Sequence, residues 1–155
     1  MKFGFDIEYQ RTLNEMADTV DGATLSDADL YRLGRRALHL IKRRTQRGED
    51  AYGKKFKPYS SKYAAYRDKT GRNTSPVDLL YTGQMLAGLT AVPDRDAALL
   101  RFTNSDLGRI ANYHNSLKPR SKIPLRRFLD LVEGSDEADQ VAEMAADMLA
   151  RTINR

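Results

Sequence analysis

Apolar positions recur along this chain with two different spacings, and the changes of spacing mark its elements. Leu30, Leu33, Ala37, Leu40 and Ile41 fall every three or four residues, the period of one helix face. Ser26 stands before them as an N-cap, and Asp27 and Asp29 occupy the first turn. Lys42, Arg43, Arg44 and Arg47 crowd the end, and Gly48 follows. The helix dipole favours acids first and bases last, so the pattern predicts a helix from 26 to 47. A second such stripe, Ala138, Val141, Ala142, Ala145, Met148, Leu149 and Thr152, follows Ser135 and predicts a terminal helix that turns Asp139, Glu143 and Asp147 outward. Shorter helices are expected at 13–20, at 61–67 and at 106–117, the last with Leu107, Ile110, Ala111 and His114 on one side. SPVDLLYTGQMLAGL reads as another, with Ser75 as N-cap, Pro76 at the first helical position and Asp78 completing a capping box.

Alternation with period two predicts strands at 2–7 (KFGFDI), at 89–92 and at 97–104, the last two forming a hairpin about the turn PDRD. The stretch IPLRRFLDL, 123–131, alternates as well. As a strand it puts Ile123, Leu125, Arg127, Leu129 and Leu131 on one face and Pro124, Arg126, Phe128 and Asp130 on the other. Helices and strands that do not alternate along the chain indicate an α+β fold, a small sheet packed against about three main helices. At 155 residues one domain is expected, 1–155, with 48–76 as a long basic loop that folds only in part.

Composition adds limits. With no cysteine, disulfides and thiolate chemistry are excluded, which suits synthesis in a reducing cytoplasm. Asp6 and Glu8 interrupt the start of the chain where a signal peptide needs an apolar run, and no segment is long and apolar enough for a membrane span. The net charge of +5 is distributed in blocks. Residues 1–30 hold 7 acids and 2 bases, residues 31–72 hold 14 bases and 3 acids, 118–127 hold five bases, and 128–150 hold seven acids and no base. Such polarity fits nucleic acid or a complementary protein surface.

Nothing in the residue spacing assembles a catalytic centre. His39 and His114 belong to no metal spacing, His39 reads as a partly buried packing residue, and His114 reads as a capping or surface residue at a helix end. No catalytic residue, metal or cofactor is therefore expected. The block 31–72 does interleave Lys54, Lys55, Lys57, Lys62 and Arg67 with Tyr52, Phe56, Tyr59, Tyr63 and Tyr66. Bases on phosphate with aromatics on nucleobases would suit a small DNA-binding protein, which is one reading of the chain.

Four short stretches taken in order support another. GKKFKPYS carries Gly53, Phe56, Pro58 and Ser60, and DLLYTGQML carries Leu79, Leu80, Thr82, Gly83 and Leu86. IANYHN carries Tyr113 and His114, and IPLRRFL carries Ile123, Pro124, Arg126, Phe128 and Leu129. In that order they resemble the phage virion morphogenesis (tail completion) proteins, over about residues 48–131. Leu125, Arg127 and Asp130 stand where that family often has a small residue, Pro or Glu, and Gly. The resemblance implies a non-enzymatic structural protein of bacteriophage or prophage, made in the host cytoplasm and located in the virion. It would complete the tail and join it to the head at the neck, as a homo-oligomeric ring around the DNA channel. Its partners would be the neighbouring connector and the tail tube or terminator proteins, with DNA as a candidate contact in the channel. The residues then expected at assembly interfaces are Lys54, Lys55, Phe56, Lys57 and Tyr59 in the basic loop; Thr82, Gly83 and His114; and Arg126, Arg127 and Phe128. Either arginine of the last group would pair with an acid across such an interface.

Overall fold

The computed structural model describes residues 24–95, 97–116 and 123–154. Within them lie five helices and a two-stranded hairpin, an α+β fold: α1 (Asp27–Gln46), α2 (Ser61–Lys69), α3 (Gln84–Ala87), β1 (Leu89–Asp94), β2 (Ala97–Phe102), α4 (Ser105–Asn115) and α5 (Asp136–Ile153). The strand expected at 2–7 and the helix at 13–20 lie outside the described residues. The chain divides into two compact units, one from Met1–Leu40, Leu89–Arg101 and Leu131–Arg155, the other from Ile41–Gly88 and Phe102–Asp130.

In the first unit, Ser26 caps α1 as its position predicts: its Oγ accepts from Asp29 N at 3.2 Å. Leu30, Leu33, Ala37 and Leu40 are buried as one stripe. Gly34 marks a close approach of helix to hairpin, since a Cβ there would lie 2.7 Å from that of Ala91 and 3.1 Å from that of Ala98. His39 is exposed rather than partly buried, because it falls just outside the stripe. In α5, Ser135 Oγ accepts from Ala138 N at 3.2 Å, and Ala138, Val141, Ala145 and Leu149 are buried. Asp139, Glu143 and Asp147 face outward as expected, and Arg36 donates to Gln140 Oε1 at 2.7 Å.

The second unit departs further from the periodic reading. The segment 75–80 is not helical; the Ser75–Pro76 peptide is cis, Leu79 has φ 55°, and only Gln84–Ala87 form a helix. Capping signals are local and weak, and here the acid of the supposed capping box, Asp78, is engaged by Arg67 instead. The segment 123–131 forms no strand either. Its backbone finds partners of other kinds. Arg126 N donates to His114 O at 2.7 Å and Ala51 N to Arg127 O at 2.7 Å. Asn115 Oδ1 accepts from Phe128 N and Leu129 N at 2.9 and 3.2 Å. Arg44 donates to the carbonyls of Phe128 and Asp130 at 2.8 and 2.7 Å. With these groups already bonded, no ladder to a neighbouring strand is required.

The basic segment 48–76 is more built than a loop. Asp50 Oδ1 accepts from Tyr52 N and Lys54 N, Glu49 bridges to Lys55, and Phe56 N donates to Gly48 O. Ser60 then caps α2 by accepting from Tyr63 N.

Candidate functional site

All four stretches of the resemblance meet around one cleft of the second unit, with a volume of about 470 Å³. Tyr59 and Ser60 enter it from the turn before α2, Thr82 and Gly83 from the turn before α3, His114 from the end of α4, and Pro124 and Arg126 from the extended segment. Gly83 takes φ 77°, a left-handed conformation that glycine adopts without strain, and so begins α3. Asn104 caps α4 by accepting from Asp106 N and Leu107 N, which fixes where His114 stands ten residues later. Leu79, Met85, Leu107 and Ile110 add apolar surface to the same cleft.

Two guanidiniums lie at its base. Arg67, only 1% exposed, donates through Nη2 to Asp78 Oδ1 at 3.2 Å and Leu80 O at 3.1 Å, and through Nε to Asn73 O at 2.6 Å. Arg126, 3% exposed, donates to Lys57 O at 3.0 Å. Both contact the ring of Tyr59, their Cζ atoms 4.6 and 5.3 Å from its centroid, an arrangement of cation on aromatic face that stabilises a partly desolvated charge. Burial pushes the Tyr59 hydroxyl pKa up, against the pull of Arg67. Burial lowers that of Arg126. His114 is lowered to about 4, first by burial and then by the Arg126 charge beside it, so its imidazole is neutral at neutral pH. Arg126 Nε and His114 Nδ1 are buried without a hydrogen-bond partner among the described residues.

Tyr63, Tyr66 and Tyr81 continue outward as a stack, with centroids 6.2 and 6.5 Å apart and interplanar angles of 24° and 20°. The hydroxyls of Tyr66 and Tyr81 are 2.8 Å apart, and Arg72 lies over Tyr81 at 4.2 Å.

Of the residues expected at an interface, Tyr59, Thr82, Gly83, His114 and Arg126 line this cleft. Lys54 and Lys57 have exposed side chains. Lys55 is held by Glu49 Oε1 at 2.9 Å, which also keeps the Glu49 carboxyl below its usual range. Phe56 and Phe128 are core residues, 6% and 0% exposed, because both aromatic rings are needed to fill the second unit. Their rings are packed inside the unit and are not presented on its surface. The alternation of 123–131 put Arg126 and Arg127 on opposite sides without choosing which side is interior. Arg126 and Phe128 share the buried side, while Arg127 is exposed and donates to Tyr52 Oη at 3.3 Å. Nor is Arg67 free for phosphate, being buried against Asp78.

Sequence reasoning missed the Arg67–Asp78 pair, the bonding of 123–131 by Asn115 and Arg44, and the role of Tyr81. Only the order of the four motifs pointed toward the cleft. Among the described residues no group of three or more His, Asp or Glu side chains could hold a metal, and no helix is long and apolar enough to cross a membrane. No known family, curated protein or solved structure matches the chain.

Proposed function

We propose that this protein is a structural component of a bacteriophage particle that completes the tail and joins it to the head at the neck, acting as a ring subunit and not as an enzyme. The observation that supports this reading is the convergence of the four motif stretches. Residues far apart in the chain, Lys57 with Arg126 and His114 with Arg126, are bonded to each other, and their neighbours line one cleft. Motifs that meet in space constrain one surface together, whereas chance similarities would be scattered over the molecule. Charge is compatible with closure into a ring. The exposed acids of α5 and the exposed lysines around 54–69 can meet between successive copies, and such head-to-tail contacts close by rotation.

Light scattering and negative-stain imaging of the purified chain test the reading, together with particles assembled in its absence. Rings, and heads unjoined to tails when the protein is missing, are expected. A monomer that binds random duplex DNA with affinity falling steeply with salt would overturn it in favour of a DNA-binding protein.

A further inference from the structure

The two buried arginines of the cleft are not equivalent. Arg67 has its counter-ion in Asp78. Among the described residues Arg126 has no carboxylate partner; its guanidinium donates to the carbonyl of Lys57 and lies over the Tyr59 ring. A buried guanidinium without a counter-ion is costly, and its Nε, like His114 Nδ1, is buried with no hydrogen-bond partner among the described residues.

The geometry points to a carboxylate-binding subsite in this cleft, with Arg126 and His114 as its donors and an apolar or aromatic body seated on Leu79, Met85, Leu107 and Ile110. The charge balance selects the ligand class. Among the described residues of the cleft Arg67 and Asp78 cancel, His114 is neutral, and Arg126 leaves one positive charge, which a single carboxylate matches and a phosphate dianion exceeds. A guanidinium fork also suits the planar oxygen pair of a carboxylate, and His114 in its Nδ1–H tautomer can supply a second donor. The volume, about 470 Å³, is that of a small-ligand pocket. The carboxylate can be that of a free organic acid or the chain terminus of another polypeptide, and the chemistry of recognition is the same. The subsite concerns the same cleft as the assembly reading but stands independently of it.

The full chain would be titrated with hydrocinnamate and with its neutral amide, and in parallel with N-acetylated leucyl-phenylalanine as free acid and as amide, followed by two-dimensional amide NMR. Each acid is expected to bind tighter than its amide by about tenfold or more, the difference a charged hydrogen bond makes. The shifts should centre on Tyr59, Thr82, Gly83 and His114. Arg126→Met, which keeps an apolar stem, should remove the acid preference. If that variant fails to fold, the acid–amide comparison on the wild-type chain decides alone. A stronger peptide acid assigns the carboxylate to a chain terminus, and a stronger hydrocinnamate assigns it to a free acid; either supports the subsite. Equal binding of acid and amide, shifts away from the cleft, or no saturable binding would overturn it. Rings that ignore both acids would leave the assembly reading intact, and a monomer that binds them would do the opposite.

Discussion

Arg67 Nη2 lies 3.2 Å from Asp78 Oδ1, with side chains only 2% and 10% exposed, and this pair organises the residues between α2 and α3. The same carboxylate accepts from Leu80 N at 2.9 Å and from Tyr59 Oη at 3.4 Å. Breaking a buried pair leaves a charge stranded, so Asp78→Ala and Arg67→Met should each lower stability by about 3–5 kcal/mol. The double variant should lose less than the sum, because the second change removes the stranded partner. Urea unfolding of the three variants would check this; additive losses would mean that the pair is not coupled. Arg67→Lys should behave like a loss, since an ammonium cannot reach Asn73 O, Asp78 and Leu80 O together.

Asn115 does for the segment 123–131 what a neighbouring strand would do in a sheet. Its Oδ1 takes the amides of Phe128 and Leu129. Asn115→Ala strands both donors beside a fully buried ring and should cost about 2–3 kcal/mol. Asn115→Asp keeps the acceptor and should recover part of that loss. Thermal unfolding of the two variants, compared at one pH, is the measurement.

Acid should weaken the protein through His114. Its folded pKa, about 4, lies below the ordinary value of 6.5. Between those values the unfolded chain binds the proton and the native chain does not, so this group's contribution falls as pH drops from about 6.5 toward 4 and is flat above. A shift of that size corresponds to at most roughly 3 kcal/mol, reduced by the side chain's partial exposure. Carboxylates also titrate in this range, so the test is a difference. Wild type and His114→Gln, unfolded by urea from pH 7 to pH 4, should converge as pH falls; parallel curves would show that His114 is freely solvated.

Arg127→Glu separates assembly from folding. The side chain is exposed, and its hydrogen bond to Tyr52 Oη is long at 3.3 Å. The variant should therefore melt within about 0.5 kcal/mol of wild type, as exposed substitutions do. In the proposed ring, a glutamate that faces a neighbour's carboxylate should block closure. Calorimetry with light scattering on the same sample reads both; a variant that forms rings as wild type does would remove Arg127 from the interface.

What the sequence determined by itself is confined to features whose partners lie within one turn or one hairpin. Ser26 and Ser135 start their helices because a side-chain oxygen three residues away can meet the first free amides. The apolar stripe of α1 is buried as its spacing required, that of α5 is buried at Ala138, Val141, Ala145 and Leu149 but leaves Thr152 exposed, and the strands at 89–94 and 97–102 pair as a hairpin. Tertiary structure alone decided the rest. Arg44 reaches Phe128 across 84 residues of chain, and Arg126 reaches Lys57 across 69. No local period records such partners. Pairing also overrode local signals: Asp78 follows a Ser-Pro helix start, yet its carboxylate belongs to Arg67, and 75–80 stays irregular. In 123–131 the alternation separated Arg126 from Arg127 correctly but could not tell which face would be buried. Because no strand ladder holds this segment, burial then followed neither face as a whole: Arg126, Phe128, Leu129 and Leu131 are buried while Ile123 and Arg127 are exposed, and only the tertiary surroundings chose the inside.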